Sequence, residues 1–550
     1  MTHGPASAPA ACPPAYGRDV VRTDVFAPVR PCADRVRAGR GTDTGGTRTG
    51  HGRRDGGTGG ARRGVGRNTG HTPVPATRPR AGPRSAVRRS LATDQERNMT
   101  DFAGQHAPRF SVDVYQNEYL PEGGRQVDAI ITVGSGAVPG AGGGTRAGSG
   151  ARGSVPSAVR TDTAVVIMLD CSGSMDHPQT KLRHARKATA AAVETLHDGV
   201  SFAVVAGTHE AAEVYPGGGR LAVAGPETRK GAREALRTLR AEGGTAIGSW
   251  LRLTRSLLAA HDGPIRHAVL LTDGRNEHES AEELKAALDE CAGRFTCDAR
   301  GVGTDWEVEE VTGIASALLG SADIVARPEE LAEDFTAMMA NVLRKEIADV
   351  ALRLWTPKGS TVRFVKQVAP SVEDLTDRRT PTGPNSGDYP TGSWGEESRD
   401  YHVCVEVPAA EVGQEMLACR AALVLPAEDG GLARTLAQGL IRAVWTDDLA
   451  SATGIDVQVA HYTGQAELAD AIRRGLENRR AGDEEGATSQ LGRAVRLADA
   501  SGNEETSKLL SKVVDVIDAP NGTVRLKAKV ADADEMTLET RSTKTVRVKR

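Results

Sequence analysis

Between residues 160 and 346, short apolar runs alternate with stretches of helical period, and this alternation constrains the fold more than any other feature. AVVIMLD (164–170), SFAVVAG (201–207), AAEVYP (211–216), HAVLLTD (267–273), CDARGVG (297–303) and ADIVA (322–326) have the length and branched apolar content of strands. After the first run, Leu182, Ala185, Thr189, Ala192, Val193 and Leu196 recur at helical spacing. Ser280 and Glu283 form a capping box that opens a helix over 281–293, and Pro328 takes a first-turn position before LAEDFTAMMANVL. Strands alternating with helices predict an α/β, doubly wound, mostly parallel six-strand sheet covered on both faces. A ligand site is expected beyond the carboxyl ends of its central strands, where the winding reverses.

The flanking sequence follows a different rule. Residues 109–117 and 126–133 alternate as strands do, and so do 348–357, 360–368, 399–407, 415–425 and 437–445. Neither group suffices for a sandwich alone, so an antiparallel β-sandwich interrupted by the α/β domain is predicted. The expected divisions are first sandwich strands at 99–133, a Gly-rich linker at 134–159, the α/β domain at 160–346 and the rest of the sandwich at 347–460. Residues 377–396, rich in Pro, Gly, Ser and Asn, read as a long exposed loop. A small helical domain is expected over 461–518, and a Thr-rich, basic, exposed tail over 519–550.

Residues 1–98 carry 18 Arg, no Lys and 7 acidic residues, which makes +11 of a whole-chain charge of −3. The remainder is therefore −14. The N-terminal segment cannot bury enough surface to fold, and reads as a disordered leader or as upstream sequence preceding the true start. Gln95-Glu96-Arg97-Asn98 would be encoded by a purine-rich stretch at ribosome-binding distance, so Met99 is the expected bacterial start. An acidic folded body gives no reason to expect nucleic acid as a partner. No run of apolar residues is long enough to span a membrane, and no secretory signal follows Met1 or Met99. The seven cysteines are scattered rather than arranged as a disulfide framework. A cytoplasmic setting is expected.

The first apolar run ends in Asp170-Cys171-Ser172-Gly173-Ser174, which places a carboxylate and two hydroxyls around one point. The loop EGGTAIG brings Thr245, and LLTDG brings Asp273 from a second strand end. These are hard oxygen donors, two of them anionic, and suit Mg²⁺ or Mn²⁺ rather than zinc. Cys171 has no base fixed near it by sequence, and the histidines show no HExxH or other metal spacing. No catalytic residue is assigned, and a non-enzymatic protein is expected.

With DxSxS, GGT and TDG in this order, the sequence resembles the von Willebrand factor A-type (VWA) family over about 185 residues, including its metal-ion-dependent adhesion site. The resemblance implies a Rossmann-like domain whose metal is held by Asp170, Ser172, Ser174, Thr245 and Asp273, with a partner's Asp or Glu carboxylate completing the coordination. It is also similar to bacterial cytosolic VWA proteins whose relatives accompany AAA+ ATPases or Ser/Thr kinases. The leading expectation is an intracellular metal-dependent protein-binding adaptor, including a role in Ser/Thr kinase–FHA signalling with Thr540, Thr543 or Thr545 of the tail as phosphate acceptors. The alternatives are an accessory subunit of an AAA+ chelatase or remodelling ATPase and, behind that, a metal-dependent hydrolase.

Overall fold

The computed structural model describes residues 109–136, 163–178, 180–426 and 433–548. The segment read as a leader, and the linker beyond Gly136, lie outside the described residues.

Strand Thr163–Asp170 is buried along its whole length, as a central parallel strand must be. Val165, Ile167 and Leu169 face a core shared with helices Thr180–Thr195 and Leu331–Val342. Ala164, Val166 and Met168 face the opposite core, against helices Ile247–Ala259, Ala281–Cys291 and Val308–Ala317. Across the sheet the order is Ala322–Val325, Thr296–Val302, Ile265–Thr272, Thr163–Asp170, Ser201–Gly207, Ala211–Tyr215. The first five run parallel, and Ala211–Tyr215 returns antiparallel. A short strand, Ala222–Val223, also pairs with Ser201–Gly207. The chain leaves the central strand to one side and later comes back on the other, so the winding reverses beside Asp170. The Ser280 capping box forms as expected: its Oγ accepts from Glu283 N at 3.2 Å, and its own N–H donates to the Glu283 carboxylate at 2.8 Å.

Two sheets, antiparallel except where Tyr119–Leu120 runs parallel to Arg434–Trp445, enclose the second core, where Val127, Ile131, Leu352, Val403, Leu423 and Trp445 meet. Strand Gln126–Gly136, which precedes the α/β domain, pairs along its length with Glu397–Glu406, which follows it. One sequence expectation is corrected here. Residues 377–396 are not an exposed loop, because Thr380–Gly383 and Ser386–Trp394 form a hairpin that joins the sheet beside Ile347–Trp355. Tyr389 and Trp394 anchor it in the core, which outweighs the turn-like composition around them.

Helices Val457–Arg480, Glu484–Ser501 and Glu504–Val513 pack through Leu468, Ile472, Leu476, Leu491, Val495, Leu509 and Leu510. The residues after them are a second correction. They are not a free tail: a hairpin, Val514–Asp518 with Thr523–Leu526, leads into helix Asp532–Arg541. Met536 of that helix enters the α/β core, and Leu538 enters the helical core. Each such side chain is worth roughly 1.5–3 kcal/mol on full burial. Thr540 is buried, Thr543 O accepts from Val372 N, and Thr545 Oγ1 donates to Val368 O at 2.6 Å. Of the three threonines expected as phosphate acceptors, Thr540 is buried and the Thr545 hydroxyl is tied to the body of the protein, whereas Thr543 is held only by its backbone carbonyl and its side chain is exposed.

Candidate metal centre

Asp170 closes the central strand and is fully buried. Its Oδ1 accepts from Ser172 N at 2.8 Å, and its Oδ2 accepts from Thr272 Oγ1 at 2.6 Å. The first bond curls the chain into a tight turn and the second ties that turn to the neighbouring strand. Ser174 Oγ donates to Asp273 Oδ1 at 2.6 Å, which leaves it free to accept from Ser172 Oγ at 2.9 Å. The Gly243 loop is stapled across this turn, with Gly173 N on Gly243 O at 3.0 Å and Glu242 N on Cys171 O at 2.8 Å. Gly243 sits at φ +75°, in the left-handed region that favours glycine. Thr245 follows, its N–H donating to His278 Nδ1 at 3.2 Å.

All three hydroxyls converge. A Cβ built on Gly274 would lie 3.1 Å from Ser174 Oγ, 3.5 Å from Thr245 Oγ1 and 3.9 Å from Ser172 Oγ. They open into a cavity of about 400 Å³, rimmed by Gly244, Arg275, Glu277, His278, Thr304 and Asp305. The five residues picked out by sequence are thus gathered around one point.

The electrostatics match the donor chemistry. Burial, and then the charge of Asp273, push the Asp170 carboxyl up to about 6, against the lowering effect of its Ser172 and Thr272 hydrogen bonds. Two buried carboxylates beside three hydroxyl oxygens make a concentration of negative charge that a small divalent cation would relieve. Among the described residues no group of three or more His, Cys, Asp or Glu side chains is placed to hold a metal ion. Cys171 is buried, and burial followed by the Asp170 charge pushes its thiol up to about 12, which leaves it inert as a nucleophile at neutral pH.

A von Willebrand factor type A domain profile matches residues 163–324, and a von Willebrand factor type A C-terminal domain profile matches 496–542. A solved structure, a von Willebrand factor type A protein from Catenulispora acidiphila, is 47% identical, with a TM-score of 0.74 over 81% of this chain and 99% of its own. The chain belongs to the von Willebrand factor type A family. The ArnB paralog VWA2 from Sulfolobus acidocaldarius is a more distant likeness, 14% identical, with a TM-score of 0.47 over 79% of this chain and 98% of its own. No curated protein matches the chain. VWA domains generally mediate protein–protein interaction, and commonly bind a divalent metal at the adhesion site. Among the described residues no helix of this VWA protein is long and apolar enough to cross a membrane.

Sequence reasoning missed four residues around this VWA site. Thr272 and His278 bond to Asp170 and Thr245 as described. Lys181 and Asp305 complete the surroundings, with Lys181 Nζ 2.8 Å from Asp273 Oδ2 and 2.9 Å from Asp305 Oδ2. Thr272 could have been found, because it precedes Asp273 in the TDG string. The other three come from segments with no local signature.

Proposed function

We propose that this chain is an intracellular, non-enzymatic adaptor that grips a partner protein through Mg²⁺ or Mn²⁺ held by Asp170, Ser172, Ser174, Thr245 and Asp273. The observation that carries the reading is the convergence of three hydroxyls and two buried carboxylates where the sheet's winding reverses, beneath an open cavity. When bound, the cation supplies a positive centre that an Asp or Glu carboxylate of the partner can approach. Asp170 and Asp273 provide the charge that retains it, and Ser172, Ser174 and Thr245 supply neutral oxygens that leave it electrophilic. Gly274 carries no side chain into the point where the hydroxyls meet, and Gly243 and Gly244 make room for the rings of His209 and His278.

The test is capture of partners from lysate in Mg²⁺ and in EDTA, read by mass spectrometry, with Asp170→Asn as control. Capture of the same proteins in all three conditions refutes the reading. The captured set also separates the more specific versions: an AAA+ ATPase retained in a nucleotide-dependent way supports the accessory-subunit role, and a Ser/Thr kinase or FHA-domain protein supports a signalling role.

A further inference from the structure

Lys181 is the second residue of helix Thr180–Thr195 and is only 5% exposed. A lysine buried to that degree needs counter-charge. It has two carboxylates, Asp273 at 2.8 Å and Asp305 at 2.9 Å. Both oxygens of Asp273 are thereby engaged, Oδ1 by the Ser174 hydroxyl and Oδ2 by the Lys181 ammonium. Asp305 differs from the other two acids in being exposed, with 64% of its side chain accessible, and in standing on the rim of the cavity.

We propose that Lys181 is the resident counter-cation of the adhesion site, a positioning residue that weakens metal binding in order to keep the bound metal attractive to an incoming carboxylate. This inference rests on the metal-site reading above. Asp170, Asp273 and Asp305 together outweigh a divalent ion, and the site without Lys181 would be anionic and would repel a further carboxylate. With Lys181 the balance is neutral. The ammonium also occupies one oxygen of Asp273, so that oxygen is withheld from the cation. A residue serving only to tie the helix to the loop at Asp305 would move metal affinity and fold stability together. A counter-cation moves metal affinity and carboxylate affinity in opposite directions.

The experiment uses the full chain as wild type, Lys181→Met, Lys181→Arg and Asp305→Asn. Mn²⁺ alone is titrated by calorimetry, and acetate is then titrated into the Mn²⁺-loaded proteins and followed by water-proton relaxation. Lys181→Met is expected to bind Mn²⁺ on the order of tenfold more tightly, the scale of one nearby charge in a partly screened site, and acetate several-fold more weakly. Lys181→Arg should stay near wild type, and Asp305→Asn should show the reverse pattern, weaker Mn²⁺ and stronger acetate. Unchanged or weaker Mn²⁺ binding by a natively folded Lys181→Met protein overturns the inference. If that variant does not fold, Asp305→Asn decides, and an unchanged Mn²⁺ affinity there overturns it. A wild-type protein that binds no Mn²⁺ removes the metal-site reading itself, whereas binding that is indifferent to Lys181 removes only this inference.

Discussion

Arg541 holds Asp323 across 218 residues of sequence, its Nε 2.9 Å from Oδ1. Lys544 Nζ takes the other oxygen at 2.7 Å. One carboxylate on the edge strand of the α/β sheet is therefore clasped by the end of the C-terminal helix and the turn after it. Asp323→Ala should lower stability by about 2 kcal/mol, in the range for hydrogen bonds to a charged group. Hydrogen exchange should quicken in residues 532–548 before it does in Thr163–Asp170.

The same clasp sets a pH dependence. Burial alone would raise the Asp323 carboxyl, but its pairing with Lys544 and Arg541 outweighs burial and leaves it lowered. A lowered carboxylate contributes stability that is fully present above the ordinary carboxylate range and is lost as pH falls through its folded-state value. Exchange protection of residues 532–548 should thus be flat from pH 7 to 5 and decline below the ordinary carboxylate range. Protection that is already falling between pH 7 and 6 would contradict this assignment.

Asp170→Asn should abolish Mn²⁺ binding without lowering the melting temperature of the metal-free protein. The amide oxygen can still accept from Ser172 N, the amide N–H can donate to Thr272 Oγ1 while that hydroxyl donates to Gly274 O, and the ionised carboxylate it replaces is disfavoured by burial and by Asp273. Calorimetry and a thermal melt in EDTA check both halves. A melting temperature lowered by several degrees would mean that the carboxylate is structural.

Gly207 and Gly301 each lie flat against a tryptophan. A Cβ at Gly207 would come 2.2 Å from Trp250 Cε2, and one at Gly301 would come 2.0 Å from Trp306 Cε2. Both rings are buried and cannot swing away, so Gly207→Ala and Gly301→Ala should each cost about 3 kcal/mol, the upper part of the overpacking range. Urea midpoints should fall, with unchanged slopes.

Cys171, Cys291, Cys297, Cys404 and Cys419 are free and buried. Burial is the first cause that raises each thiol: Cys291 to about 11, Cys404 and Cys419 to about 12, and Cys297 well above its ordinary value. Iodoacetamide at pH 8 should leave these five unmodified in the native protein and label them in urea, as read by peptide mapping. Labelling of Cys171 in the native state would show that the turn at the site opens.

The α/β sheet was legible because its central strands, Thr163–Asp170, Ser201–Gly207 and Ile265–Thr272, are nearly continuous apolar runs, and the site because Asp170 and Asp273 stand at the ends of two of them. Strand Ser386–Trp394 was not legible. Gly387, Pro390 and Gly392 break any alternation, and only Tyr389 and Trp394 anchor it, which becomes evident once the opposing sheet is present. Helix Asp532–Arg541 was hidden for a related reason: Met536 and Leu538 enter two different cores, so they never form one periodic face. Lys181 looks in sequence no different from Lys187 of the same helix, which is exposed. What distinguishes it is a carboxylate delivered by a loop more than a hundred residues later.

The pairing of Gln126–Gly136 with Glu397–Glu406 imposes an order on synthesis. The Ser135 hydroxyl waits for the Gly395 carbonyl, 260 residues further along, an interval on the order of tens of seconds at ordinary translation rates. During that time the strand can pair with Arg109–Gln116 on one side only, and its other edge, carrying Val127, Ala129, Ile131 and Val133 that are buried in the finished protein, is an open template for wrong partners. The α/β sheet is complete once Val325 has emerged. A nascent chain halted just before Glu397 therefore has all the strands of the α/β sheet and the loops that carry Asp170, Thr245 and Asp273, attached to a sandwich that cannot yet close.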